Sequence, residues 1–211
     1  MAKKKSKKSA PAKRAPMKSA RKPAKKSAPK KAAAGKTVRQ TTAPVISTAN
    51  RDRALALLGF ARAQAEKFIN SLQGDTCCSQ PFAGANHALW SLGHLTCTHD
   101  WLAGLLDGKP SALPGDYNTL FNMGSQPQND ASKYPSWESV QRAYQGAFDR
   151  LYAAVGAMND AQLDQHCAGE TYGFATDKLD ALHKGAWHMG WHSGQVADVR
   201  RAMGMPGLYG S

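Results

Sequence analysis

The stretch NHALWSLGHLTCTHDWLAGLL, residues 86–106, decides the fold. Its apolar residues recur at helical rather than alternating spacing, and Asp107-Gly108 with Lys109-Pro110 ends the pattern, which predicts one long helix. Upstream, RDRALALLGFARAQAEKFINSL carries Leu55, Leu58, Ala61, Ala65, Phe68, Ile69 and Leu72 close to a 3.6-residue period. This predicts a helix from Asn50 to near Gly74. Downstream, WESVQRAYQGAFDRLYAAVGAM predicts a third, with Ser136 as its N-cap and Glu138 in the first turn, where the helix dipole favours a carboxylate. A fourth runs from about Asp177 to Met203 and stops at Gly204 and Pro206.

Four periodic segments with no convincing alternating strand predict an all-α four-helix bundle. Between the second and third helices lies DGKPSALPGDYNTLFNMGSQPQNDASKYP. It is too long for a hairpin between neighbours, and predicts a crossover connection. Loops of this length are usually functional or disordered; Tyr117, Phe121, Asn122 and Tyr134 are candidates for covering a pocket, with a merely structural crossover the competing reading. A second polar interval, NDAQLDQHCAGETYGFAT, precedes the last helix.

The chain has 211 residues and a formal charge of +13, unevenly spread. Sixteen of its 28 basic residues and none of its 15 acidic ones precede Arg51, so the remainder holds 12 basic against 15 acidic residues, a net −3. A segment of Lys, Ala, Pro and Ser cannot bury enough apolar surface to offset its ordering entropy. Residues 1–49 therefore read as a disordered tail and linker, and 50–211 as one folded domain. The tail's composition resembles that of linker histones. Sixteen cations without an anion predict salt-sensitive, sequence-independent attraction to nucleic acid, with Lys3, Lys4, Lys5, Lys7, Lys8, Lys25, Lys26, Lys30 and Lys31 as the contacts. Without aromatic residues to stack on bases, base specificity is not expected.

No run of 18 apolar residues occurs, and MAKKKSKKSAPAKR lacks the apolar segment of a secretory leader. A cytoplasmic, nucleoid-associated chain with no membrane span is the expectation. Cys77, Cys78, Cys97 and Cys167 show no C-x-x-C spacing; adjacent Cys77 and Cys78 would form a strained disulfide, so free thiols are expected.

The chemistry is concentrated in WHMGWHSGQ, residues 187–195. At about 100° per residue, His192 lies roughly 40° from His188 and Gln195 roughly 20° to the other side, so the three share a face. Two imidazoles at i and i+4 can point at one divalent ion. The third ligand should come from the second helix, where His94 within WSLGHL is favoured over His87 and His99. Three neutral imidazoles with an open position suit a catalytic metal. Zinc and nickel rank first, with iron and copper also compatible. A histidine on an apolar face is more commonly a core residue, and the pair alone would not carry this reading. Trp187 and Trp191 read as core or pocket-wall packing, and Gly185, Gly190 and Gly194 as points of close helix approach.

NHALWSLGHL followed by WHMGWHSGQVADVRR resembles the DinB-like superfamily over roughly residues 50–206. These are metal-binding four-helix bundles that include thiol-dependent transferases. The resemblance implies His94, His188 and His192 as metal ligands, with His192, Gly194 and Gln195 matching the family's H-x-G-Q ending. It further implies a low-molecular-weight thiol and an electrophile as substrates of an S-transferase, the nucleophile belonging to the cosubstrate. Gln195, Trp191 and Trp90 become candidates for ligand contacts or for orienting the imidazoles. The competing expectation is a non-enzymatic nucleoid protein whose bundle serves as a homodimerisation or partner module.

Overall fold

A computed structural model describes residues 46–210. The cationic stretch before Ile46, with its candidate nucleic-acid contacts, lies outside the described residues. The order is α1 (Ala49–Ile69), α2 (Ala88–Asp107), α3 (Tyr117–Phe121), α4 (Trp137–Gly156), α5 (Asp160–Leu163) and α6 (Lys178–Ala202), with no strand among the described residues. The four long helices are those that the periodicity predicts. Two differences are local. Helix α1 ends at Ile69 rather than near Gly74, the chain passing instead into a 3-10 turn at Gly74–Thr76. The polar intervals also contain the short α3 and α5.

The ends are set by local chemistry. Ser136 Oγ accepts a hydrogen bond from Ser139 N, Asp177 from Asp180 N, and the His87 ring from Trp90 N. Each satisfies a first-turn donor that the helix itself leaves free. Gly108, with φ +70, ends α2 in the left-handed region, a conformation that costs glycine little.

Helix α2 packs mainly on α4 and α1 on α6, with α6 also bordering α2. Direction follows from residue pairs. His87 meets Tyr134, His99 meets Tyr144 and Phe148, and Asp107 meets Arg150, so α2 and α4 run parallel. Asn86 meets Gln195 while His94 meets His188, so α6 runs antiparallel to α2. Parallel neighbours cannot be joined by a short turn. The 108–136 connection is therefore the expected crossover, and it returns along the outside of α2.

That return explains the burial of α2. Sixteen of its 20 residues are buried, whereas α4 buries one stripe, Val140, Tyr144, Ala147, Phe148, Leu151 and Val155, the mark of a helix wet on one side. Tyr117 and Phe121 of the crossover are fully inside, and Gly93 is the notch that receives the Phe121 ring. Among the described residues, no helix is long and apolar enough to cross a membrane.

Candidate metal centre

His94 projects from the middle of α2, and His188 and His192 from one face of α6. Because the two helices are packed neighbours, the three rings converge. His188 Nε2 lies 3.3 Å from His94 Nε2 and 3.0 Å from His192 Nε2. Their ligating nitrogens form the sole group of three or more His, Cys, Asp or Glu donors within mutual metal-sharing reach among the described residues. Nitrogens bound to a tetrahedral ion at about 2.0–2.1 Å are roughly 3.3 Å apart. The two separations from His188 fit that arrangement, and the three ligating nitrogens all lie within 4.8 Å of one another.

The hydrogen bonds around the rings point the same way. His94 Nδ1 is 2.7 Å from the Phe121 carbonyl oxygen, which can only accept, so Nδ1 carries the proton and Nε2 presents a lone pair. One hydrogen on His188 Nε2 can serve either of its two nitrogen neighbours, not both. A shared cation satisfies all three lone pairs at once. The buried Nδ1 atoms of His188 and His192 have no protein partner, so neither ring is drawn away from the centre.

Burial keeps the imidazoles neutral. It lowers His94, pushes His188 down to about 4, and, with His188 and His94 beside it, pushes His192 down to about 2; a contact from Gln195 works in the opposite direction on His192. Neutral imidazole is the form that ligates metal.

Trp90 lies flat on His94, with ring centroids 4.7 Å apart and planes within 8°, and its Nε1 donates to Ser125 Oγ of the crossover at 2.9 Å. Gln195 Oε1 accepts from Asn86 Nδ2 at 3.1 Å, tying α6 to the segment that leads into α2. Trp191 sits 6.3 Å from His188 and 6.0 Å from His192.

Several expectations need correction. Trp187 and Trp191 are 59% and 53% exposed, paired with each other on the outer surface rather than in the core. The face of α6 that carries Met189, Val196 and Val199 takes the core instead. Only Gly185 of the three α6 glycines makes a close approach, to Leu102; nothing lies within 4 Å of a Cβ at Gly190 or Gly194. In keeping with the preference for His94, His87 and His99 stay out of the cluster: His87 caps α2, and His99 is buried against Tyr144 and Phe148.

The Phe121 carbonyl and Asn86 are contributors that residue-by-residue reading missed. Phe121 was visible as an aromatic in the long connection, but a backbone oxygen leaves no signature in residue type. Asn86 adjoins the motif and could have been found by asking what Gln195 touches.

A family model described as the DinB superfamily matches residues 57–196. The chain belongs to the DinB superfamily. The matched span contains all three histidines and Gln195, so the site lies wholly within the DinB part of the chain. No curated protein gives a significant match.

Proposed function

We propose that this DinB-superfamily protein binds a divalent transition metal through His94, His188 and His192 and uses it to transfer a low-molecular-weight thiol to an electrophile. The observation that carries the reading is the convergence of three neutral Nε2 atoms, one with its tautomer set by the Phe121 carbonyl. A divalent ion there would favour the deprotonated, nucleophilic form of a coordinated thiol. Zinc and nickel are the first choices for three imidazoles.

The chain's own residues supply position. The Phe121 carbonyl and the Trp90 ring fix His94 from two sides, and the Asn86 amide holds Gln195 at the edge of the centre. His188 is half-buried, and Trp191 beside it stands exposed. All four described cysteines are free, and burial raises Cys78, Cys97 and Cys167, which favours a nucleophile brought by the cosubstrate.

Elemental analysis of full-length protein purified without a His tag tests the site. Bound metal is expected in the wild type and lost in His188→Ala and His192→Ala; equal content in all three would remove the proposal. A thiol-conjugation screen of the loaded protein then tests the reaction.

For residues 1–49 we propose nucleic-acid association, supported by 16 cations without an anion. Electrophoretic mobility of DNA should shift at low salt, weaken as salt rises, and fail to shift with protein lacking residues 1–49. Retained affinity after truncation would place DNA binding elsewhere in the chain.

A further inference from the structure

Cys77 and Cys78 lie in the turn between α1 and α2. Cys77 N donates to the Gly74 carbonyl and Leu89 N donates to the Cys77 carbonyl, which pins the turn to the start of α2. The two sulfur atoms are 3.7 Å apart, and the residues are 8% and 6% exposed. Both line an open cavity of about 620 Å³, with Asp75, Gln80, Asn129 and Met203 among its other walls. The histidine centre does not border it.

Three ordinary uses of paired thiols fit poorly. A disulfide between adjacent residues is strained, since their Cα atoms are about 3.8 Å apart across a trans peptide and disulfides usually span about 4.4–6.8 Å. A nucleophile needs a thiolate, and burial, with Cys77 alongside, pushes Cys78 up to about 12. A tetrahedral thiolate–metal site needs further donors, yet the three histidines are the only group of three such donors within reach of one another among the described residues. What remains is a ligand satisfied by two sulfurs at van der Waals contact, able to take them as neutral thiols and leave a neutral product in a site where charge is costly.

We propose that Cys77 and Cys78 form a bidentate site for trivalent arsenicals, separate from the histidine centre. With arsenous acid, two As–O bonds break and two As–S bonds form. Each thiol proton leaves on a departing oxygen, so two waters are released, arsenic stays trivalent and keeps one hydroxyl, and no oxidant or reductant is required. Phenylarsine oxide reacts in the same sense, forming two As–S bonds, releasing one water and keeping its phenyl group.

The probe is phenylarsine oxide, added to the native full-length protein and read by intact mass. The expected result is a single phenylarsenic adduct, lost in Cys77→Ser and in Cys78→Ser, kept in Cys97→Ser and Cys167→Ser, and released by 1,2-ethanedithiol at concentrations where a monothiol leaves it in place. Helical circular dichroism of each variant, with Cys78→Ala as a second form of the loss, separates a missing ligand from a failed fold. An adduct that survives in a folded Cys77→Ser or Cys78→Ser protein, or one that forms on the wild type only after denaturation, overturns the proposal. His188→Ala should retain the adduct, so failure of the metal reading would leave this result unchanged.

Discussion

At Gly93 a single missing methyl group lets the crossover reach the site. A Cβ at this position would overlap the Phe121 ring, which is fully buried and whose carbonyl receives the His94 Nδ1 proton. Gly93→Ala should therefore do two things. Overpacking of this kind costs about 1–3 kcal/mol, which a urea titration of the metal-free protein will show as a lower midpoint. Displacing the carbonyl should also weaken metal binding by about 10–100-fold, the usual effect of losing a group that orients a ligating histidine, as measured by competitive metal titration. Unchanged values of both would mean that Phe121 moves aside without disturbing His94. The histidine pair of α6 was legible from its i and i+4 spacing, whereas the choice of His94 over His87 and His99 on α2 leaned on the WSLGHL context. Trp187 and Trp191 were less so. Tryptophan is usually buried, and only the packing of α6 on Met189 and Val196 shows that their side of the helix faces outward.

The long helices are the part of the fold that the sequence expresses most directly, since 20 or more residues give a period several turns in which to repeat. Helices α3 and α5, at five and four residues, are too short for that signal. The parallel course of α2 and α4 was legible only indirectly, through the length of the connection between them. Besides its apolar packing, this pair shares a charge contact that no local pattern announces. Arg150 of α4 donates to Asp100 at 2.6 Å and Asp107 at 3.2 Å on α2, with the Asp100 side chain only 4% exposed. Removing the cation leaves a buried carboxylate without its partner. Arg150→Met should cost about 3–5 kcal/mol, the usual penalty for breaking a buried pair from one side. The double variant Asp100→Asn with Arg150→Met should recover part of that loss. A double-mutant cycle of urea midpoints reads the coupling; additive losses would show that the two side chains act independently.

For the molecule as a whole, the chief consequence of this core is its response to acid. His99, 1% exposed with neither ring nitrogen partnered, is pushed down to about 3 by burial, with His188 and Arg62 adding to the effect, and His87 is pushed down to about 4 by burial. Both folded values lie below the unfolded value of about 6.5. As pH falls through 6.5 the unfolded chain takes up protons that the folded protein excludes, so stability is fully present above that point and declines toward pH 4 and 3. Each such histidine contributes a slope of about 1.4 kcal/mol per pH unit within its window. In metal-free protein His188 and His192, lowered in the same direction, steepen the decline, whereas a bound ion would hold them neutral and oppose it. His99→Leu removes one titrating group and its two unpartnered nitrogens without emptying the space between Tyr144 and Phe148. Urea unfolding of wild type and His99→Leu at pH 7, 6 and 5, both metal-free, should give curves that separate as pH falls, the variant losing about 1.4 kcal/mol less per unit below pH 6.5. Parallel curves would show that His99 takes up its proton in the folded protein as readily as in the unfolded chain, and that acid sensitivity belongs to the other histidines.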